Sequence, residues 1–386
     1  MFRQARSATR CRRSAGRPAM VMKLVVLATG DSIHSRRWVS FFAQRHEVHW
    51  VSLGPFADRP ADEVPTYEIA GAMHPLAAVA RGALVLRRLL RRLRPDVFHV
   101  HSAGTNGLVA TLAGYHPRVV TAWGSEVLIT ARSPVKRPLV AWSLRSADLV
   151  TCDAEHMREA IRALGVDCGR IRIVHFGTDV QKFRPGLDAA ELRRQVGAAD
   201  RPIVLSSRSL EPLYDVESLI RAVPLVLRAV PRAMFVIVGD GSEAPRLKRL
   251  TADIGVATSV HFVGRIANDD LPRYLNAADA YVSTALSDAG LSASTAEAMA
   301  SGLPVVVTDS GENRRWVVDG SGGFVVPVRA PDELAGRITS LLECQSDRLR
   351  YGAFNRAVIE ARNNYDVEMT KMETMYHALA THSGVG

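Results

Sequence analysis

Residues Ala280–Asp309 read AYVSTALSDAGLSASTAEAMASGLPVVVTD. Ala280–Thr284 and Pro304–Asp309 are short apolar and β-branched runs bounded by turn residues, the pattern of strands buried on both faces. Between them, Asp288-Ala289-Gly290-Leu291-Ser292 reads as a small-residue turn. Ser292–Ala300 then reads as a helix that stops at Ser301-Gly302. Strand, helix and strand within about 30 residues form one crossover unit, and such a unit makes its two strands parallel.

Working outward, the same alternation runs through the chain from Met22. In the first half, strands are expected at Leu24–Thr29, Glu47–Leu53, Asp96–His101, Arg118–Trp123, Leu149–Cys152 and Ile171–His175. Helices are expected near His34–Gln44, Leu76–Arg94, Thr105–Ala113, Val135–Arg145 and Ala154–Leu164. At Phe183-Arg184-Pro185-Gly186 the alternation breaks into turn chemistry and a polar stretch to Asp200. It restarts with strands at Ile203–Ser207, Met234–Val238, Val260–Val263 and Gly323–Val326 beside the two already quoted. Helices there are expected at Val216–Val230, Glu243–Ile254, Asp270–Asn276 and Pro331–Glu343. Each half thus carries about six strands. The reading is an α/β chain of two Rossmann-like, doubly wound parallel-sheet domains, at 22–190 and 191–365, facing across a cleft. Ligands of such sheets sit at the strand carboxyl ends. In 366–386, Met369, Met372, Met375, Tyr376 and Leu379 recur every three or four residues, as in a closing helix.

A length of 386 residues suits two or three domains, and 47% apolar residues exclude disorder along most of the chain. The longest apolar runs fall short of the ~20 residues a membrane-spanning helix needs. Cys11, Cys152, Cys168 and Cys344 are scattered, so neither a disulfide scaffold nor a structural zinc is expected, and the chain reads as cytosolic. Of the net charge of +10, six positive charges fall in the first 20 residues, which contain no acid. Residues 1–21 are expected to be a disordered basic tail without the apolar core of a secretory signal. Alternatively, translation begins at Met20 or Met22.

The small-residue turn lets backbone N–H groups approach a ligand, and the helix start adds partial positive charge. Together they suit a diphosphate or a polyhydroxylated sugar. Glu297, about one and a half turns into the helix, could grip ribose hydroxyls; the competing reading is a solvent-facing Glu. Arg208 ends the first strand of the second half. In the first half, Gly30 allows a tight turn, and Ser32 or His34 could cap the next helix or touch a leaving group. His101 ends a strand beside the cleft and could contact the transferred sugar or shuttle a proton. Glu126 could orient an acceptor hydroxyl, act as its base, or cap a helix. No Asp-x-Asp falls at a strand end, and Asn268-Asp269-Asp270 reads as a helix N-cap.

The segment Glu297-Ala298-Met299-Ala300-Ser301-Gly302-Leu303-Pro304-Val305 resembles the donor-site signature of glycosyltransferase family 4, a retaining family of the two-Rossmann GT-B fold. That signature has an acid, seven positions and then the Glu; here Asp288 lies one residue too far away and Ala289 takes the spacing. Pro95–His101, Ala147–Thr151, His175–Asp179 with Phe183-Arg184-Pro185, Val238–Gly241 and Phe262–Gly264 resemble other family stretches, in order, over nearly the whole chain. Arg208 matches the family's diphosphate-binding Arg. The Lys that usually follows five or six residues later is absent, with Leu213-Tyr214 in its place.

The resemblance implies transfer of a hexose-type sugar from a nucleotide-diphosphate sugar to a glycan or lipid-linked acceptor, with retention and without a metal or cofactor. It implies a catalytic set of His101, Arg208 and Asp288. Donor and acceptor contacts would come from Gly30, Glu126, Gly264, Gly290, Leu291, Ser292 and Glu297. The missing Lys and the displaced acid motivate a second reading, a silent relative acting as a membrane-surface or complex-forming subunit. A dinucleotide-dependent oxidoreductase fits poorly, since no Gly-x-Gly-x-x-Gly turn follows either first strand. The helix Leu76–Arg94 alternates six arginines with leucine and valine and could lie on an anionic membrane surface, on the inner face. Nucleic acid is not an expected partner, because no aromatic interleaving accompanies the charge.

Overall fold

The computed structural model describes residues 20–56, 64–69 and 76–383. The basic tail expected at 1–21 therefore lies outside the described residues, apart from the exposed Met20 and Val21.

Among these residues the strands form two all-parallel sheets. The first holds β1 (Lys23–Leu27), β2 (Glu47–Ser52), β3 (Thr66–Glu68), β4 (Val97–His101), β5 (Arg118–Thr121), β6 (Leu149–Cys152) and β7 (Ile171–Ile173). Its order is β3-β2-β1-β4-β5-β6-β7. The second holds β8 (Ile203–Ser206), β9 (Met234–Val238), β10 (Val260–Gly264), β11 (Ala280–Ser283), β12 (Val305–Thr308) and β13 (Gly323–Val326). Its order is β10-β9-β8-β11-β12-β13. In both sheets the order reverses beside the first strand, between β1 and β4 and between β8 and β11, which opens a crevice at the carboxyl ends there.

The strands are apolar on both faces because helices cover both; Val204, Phe235 and Val282 bury against one helical layer, Leu205, Val236 and Tyr281 against the other. The last helix, Tyr365–Ser383, leaves the second domain and packs on the first. Met369, Met372 and Tyr376 are buried there with Met22, Trp38, Phe42 and Trp50. The Tyr376 hydroxyl is 2.6 Å from His99 Nδ1 and accepts the Trp38 indole N–H at 3.1 Å.

Besides the short helices Ser125–Leu128, Ala190–Gln195 and Asn313–Trp316, two elements depart from the sequence reading in an instructive way. β3 is a three-residue edge strand, too short and polar to show a period. Gln345–Arg362 is an 18-residue helix where none was expected. Its buried face mixes Tyr351 and Ile359 with Gly352 and Asn355. A Cβ on Gly352 would lie 1.9 Å from the Gly302 carbonyl, and Asn355 Nδ2 donates to the carbonyls of Leu303 and Gly322.

Replacing Tyr376 by Phe strips buried His99 and Trp38 of a partner, and an unmet buried polar group costs ~1–3 kcal/mol. The unfolding free energy of Tyr376→Phe is expected to fall by that amount, read as a lower urea midpoint with an unchanged m-value.

Candidate active site

Arg208 lies two residues beyond the end of β8, where the carboxyl end of the sheet opens. Its side chain is 8% exposed. Nη2 donates to Asp288 Oδ1 at 2.7 Å, Nη1 donates to Ser294 Oγ at 3.1 Å, and the guanidinium sits 4.3 Å over the Tyr214 ring. Tyr214, standing where the resemblance expects a Lys, contributes an aromatic face in place of a charge. Asp288, expected to reach a donor sugar, instead turns back on Arg208. Burial raises its pKa and the Arg208 charge opposes that rise. Its Oδ2 is buried with no partner among the described residues.

The turn after Asp288 leads into the helix Ala293–Ala300, capped by Ser292, whose Oγ accepts the Thr295 N–H at 3.3 Å. Ser294 and Glu297 from this helix line a cavity of about 610 Å³ together with Arg208 and Tyr214. Glu297 is half-buried and faces this cavity. Burial pushes its pKa up to about 7, with Arg37, Lys182 and a hydrogen bond to Asn268 pulling the other way. Leu291 and Glu297 also line a narrower arm between the domains, with about 30 Å³ of room for water-sized contents. Gly290 packs against Asp153 of the first domain; a Cβ there would lie 3.2 Å from Asp153 Oδ2. Gly264 ends β10 at φ 82°, and its carbonyl accepts the Gly239 N–H at 2.8 Å. It is absent from the cavity wall, where Asn268 of the following loop appears instead.

The first domain presents His34 and Arg37 from the helix Ile33–Ala43, whose N-cap is Ser32 accepting from the Ser35 N–H. His101, ending β4, is buried; its Nδ1 lies 3.1 Å from Ser35 Oγ and its Nε2 has no partner among the described residues. Burial first, and the neighbouring His34 second, lower its pKa to about 3, so the ring is neutral at pH 7. Glu126 is buried too, and its Oε1 accepts the N–H groups of Ala103 and Trp123. Those bonds brace the loops after β4 and β5. Gly30 donates to Ser52 Oγ at 3.2 Å, and a Cβ on it would lie 2.8 Å from the Pro55 carbonyl. Thr29, Asp31, Ser102 and Asn106 line a separate cavity of about 370 Å³ beside it.

Several wall residues were not foreseen. Lys182 faces the large cavity, held by the side chains of Asn268 and, at 2.8 Å, Asp269. Of the run Asn268-Asp269-Asp270, read as a helix N-cap, Asp270 takes the N-cap position of the helix Leu271–Ala277 without a side-chain cap bond, while Asn268 and Asp269 turn to Lys182. Lys182 lies between the quoted stretches His175–Asp179 and Phe183–Pro185, but nothing local shows which way it points. Asp153 directly follows β6, and its place at a strand carboxyl end was the available signal. Among the described residues one His/Glu cluster, His46, Glu373 and His377, comes within 4.8 Å. His46 Nδ1 accepts the Met22 N–H, so Nε2 carries the proton toward Glu373 and offers no lone pair to a metal.

Residues 188–358 match the family described as glycosyl transferases group 1, and 23–154 match glycosyl transferase 4-like. The chain is 30% identical over 281 residues to the GDP-mannose-dependent alpha-(1-6)-phosphatidylinositol monomannoside mannosyltransferase of Mycobacterium tuberculosis, covering 69% of this chain and 73% of that one. It is 32% identical to the D-inositol 3-phosphate glycosyltransferase of Acidothermus cellulolyticus, over 77% of this chain and 68% of the relative. It is 25% identical to the UDP-Gal:alpha-D-GlcNAc-diphosphoundecaprenol alpha-1,3-galactosyltransferase of Escherichia coli, over 77% and 79%. In fold it is similar to Anabaena HepE solved with UDP, with a TM-score of 0.80 at 18% identity, covering 93% of this chain and 100% of HepE. Sucrose-phosphate synthase of Thermosynechococcus elongatus superposes equally well, at TM-score 0.80 and 19% identity over 94% and 100%. Strand order and these likenesses agree, and the chain belongs to the group 1, family 4-like glycosyltransferases with the GT-B fold.

Proposed function

We propose that this chain transfers a hexose from a nucleoside-diphosphate sugar to a hydroxyl of a glycan or lipid-linked acceptor, with retention of configuration and with neither metal nor cofactor. The observation that carries this reading is the wall of the 610 Å³ cavity, where Arg208, the start of the Ala293–Ala300 helix and Glu297 converge. Transfer leaves negative charge on the departing diphosphate, and stabilising that charge is the main catalytic task. Arg208 and the helix N-terminus address it, with Lys182 and Arg37 facing the same space. These cations take the place of the absent family Lys. Glu297 takes the ribose hydroxyls. His101, neutral and with a free Nε2, contacts the transferred sugar. Retention rests on the family resemblance.

The 370 Å³ first-domain cavity suits the acceptor, since Thr29, Ser52, Ser102, Thr105 and Asn106 give it hydroxyl and amide groups matched to a polyol. Ser102 holds a left-handed φ of 77°, a strain that clusters at functional sites. Two of the relatives above are named for lipid-linked acceptors. No helix among the described residues is long and apolar enough to cross a membrane. The helix Leu76–Leu93 instead exposes Arg81, Arg88, Arg91 and Arg92 around Leu84 and Val85. Beyond its neighbour Thr105–Ala113, the helix Arg137–Arg145 exposes Leu139 and Trp142. From Leu76 to Arg145 there are 11 cations and two acids, and one of the acids is the buried Glu126. This surface suits docking on an anionic bilayer.

The second reading, a silent relative, is favoured by one observation: Asp288 already neutralises Arg208. A thermal-shift screen with UDP, GDP and ADP separates the two readings. Binding at 100 times Kd adds ~2.7 kcal/mol, so a selective rise supports the transferase and no rise with any nucleotide supports the silent relative.

Arg208→Ala in an Asp288→Asn background, which avoids leaving a lone buried charge, is expected to lower turnover at least tenfold, or ~1.4 kcal/mol. A smaller fall removes Arg208 from the leaving-group site. Glu297 must be ionised to accept two hydroxyls, so diphosphate-sugar affinity is expected to drop roughly tenfold from pH 8 to pH 6. Glu297→Gln should bind weakly at both pH values, and calorimetry reads this directly. Replacing Arg88, Arg91 and Arg92 by Gln should release the protein from phosphatidylglycerol vesicles in co-sedimentation and leave neutral vesicles unaffected, at ~1 kcal/mol per Arg.

A further inference from the structure

Asp153 is the acid that the mechanism above does not use. It follows β6 directly, at the carboxyl end of the first sheet, and is 8% exposed. It lines the narrow arm between the domains with His34, Leu291 and Glu297. Its Oδ1 is buried without a partner among the described residues, and the hydrogen bond that eases its burial comes from its own backbone. No cation faces it. The charged groups acting on it are Glu312 and Glu126, which together with burial hold its pKa up at about 7. A buried carboxyl in that state is costly unless something outside the chain pairs with it.

What lies against it narrows the choice of ligand. Gly290 of the donor turn packs onto the carboxyl, where a Cβ would sit 3.2 Å from Oδ2. Asp288 in that turn is committed to Arg208 at 2.7 Å, and Ala289 carries no polar group. Asp288 also lines neither the arm nor the larger cavity, so the turn presents no acid there, while Asp153 faces the arm from across the seam with an oxygen to spare. Sugar hydroxyls are donors of the kind a carboxylate accepts.

We propose that Asp153 is a sugar-binding residue, its carboxylate accepting a hydrogen bond from a hydroxyl of the hexose carried by the nucleotide and replacing, from the first domain, the acid that the Asp288–Ser292 turn has tied to Arg208. This rests on reading the larger cavity as the nucleotide-sugar site. The arm has room for a water or two, so a hexose enters as the domains part. Parting occurs at the seam where Gly290 meets Asp153 and where Ala289 Cβ would lie 2.8 Å from a Cβ on Gly124.

The test compares Asp153→Ala and Asp153→Asn with the unaltered chain. Calorimetry measures the Kd of the best-binding nucleoside diphosphate and of its glucose, mannose and galactose conjugates. For both variants the bare diphosphate is expected to bind within twofold of the unaltered chain, which also shows that the fold is intact. The preferred sugar conjugate is expected to bind at least tenfold more weakly to Asp153→Ala. An equal loss for diphosphate and conjugate would mean general distortion and overturns the proposal, as does no loss for either. Unchanged donor affinity with a raised acceptor KM places the hydroxyl on the acceptor and overturns the donor assignment. If the unaltered chain binds no diphosphate, the transferase reading itself has failed, a result visible before any variant is made.

Discussion

A buried ion pair, Arg208 to Asp288, joins the end of the first strand of the second sheet to the turn that follows its fourth strand. Both side chains are at most 10% exposed, so water screens the pair little. Removing one partner of such a pair costs ~3–5 kcal/mol, because the other charge stays buried alone. The pair therefore holds the turn in one shape, and that shape places Ser294 on the guanidinium, the start of the helix at the cavity and Gly290 against the first domain. It also spends the one acid of the turn. Much of what is unusual in the site follows from that commitment.

Charge around the cleft is arranged by burial as much as by sequence. Glu297 and Asp153 are both raised to about 7, while His101 is lowered to about 3. Near neutrality the acids are poised between two states and the imidazole is held in one. Cations reach the same space from three places in the chain: Arg37 on the first helix, Lys182 on the segment linking the domains, and Arg208 after β8. A site assembled this way depends on the domain arrangement. The closing helix serves that arrangement by returning to the first domain, where Tyr376 binds His99 and Trp38. The linking segment is pinned in turn by Arg356, which donates to the carbonyls of Val180, Phe183 and Ala300.

Much of this was legible in the sequence, because strand and helix periods are local. β6, β9 and β13 and the helices Thr105–Ala113 and Pro331–Glu343 fall on the residues expected, and the Glu297–Val305 stretch pointed to the family. Hydrophobic alternation in a buried parallel sheet needs no partner to be recognised. The helix Gln345–Arg362 stayed hidden because Gly352 and Asn355 interrupt its buried face, leaving Tyr351 and Ile359 two turns apart as its buried apolar residues.

The sequence by itself determined two parallel-sheet domains, a helix with Glu297 on it after the small-residue turn, and the absence of a lysine after Arg208. Only the tertiary structure decided that Asp288 turns to Arg208, that Lys182 faces the cavity, that Glu126 braces backbone, and that Asp153 meets Gly290 across the domains. Each of these is a side-chain direction set by a partner 23 to 137 residues away in the chain. Spacing along a strand or helix encodes which face a residue takes, but not what the far domain places opposite it.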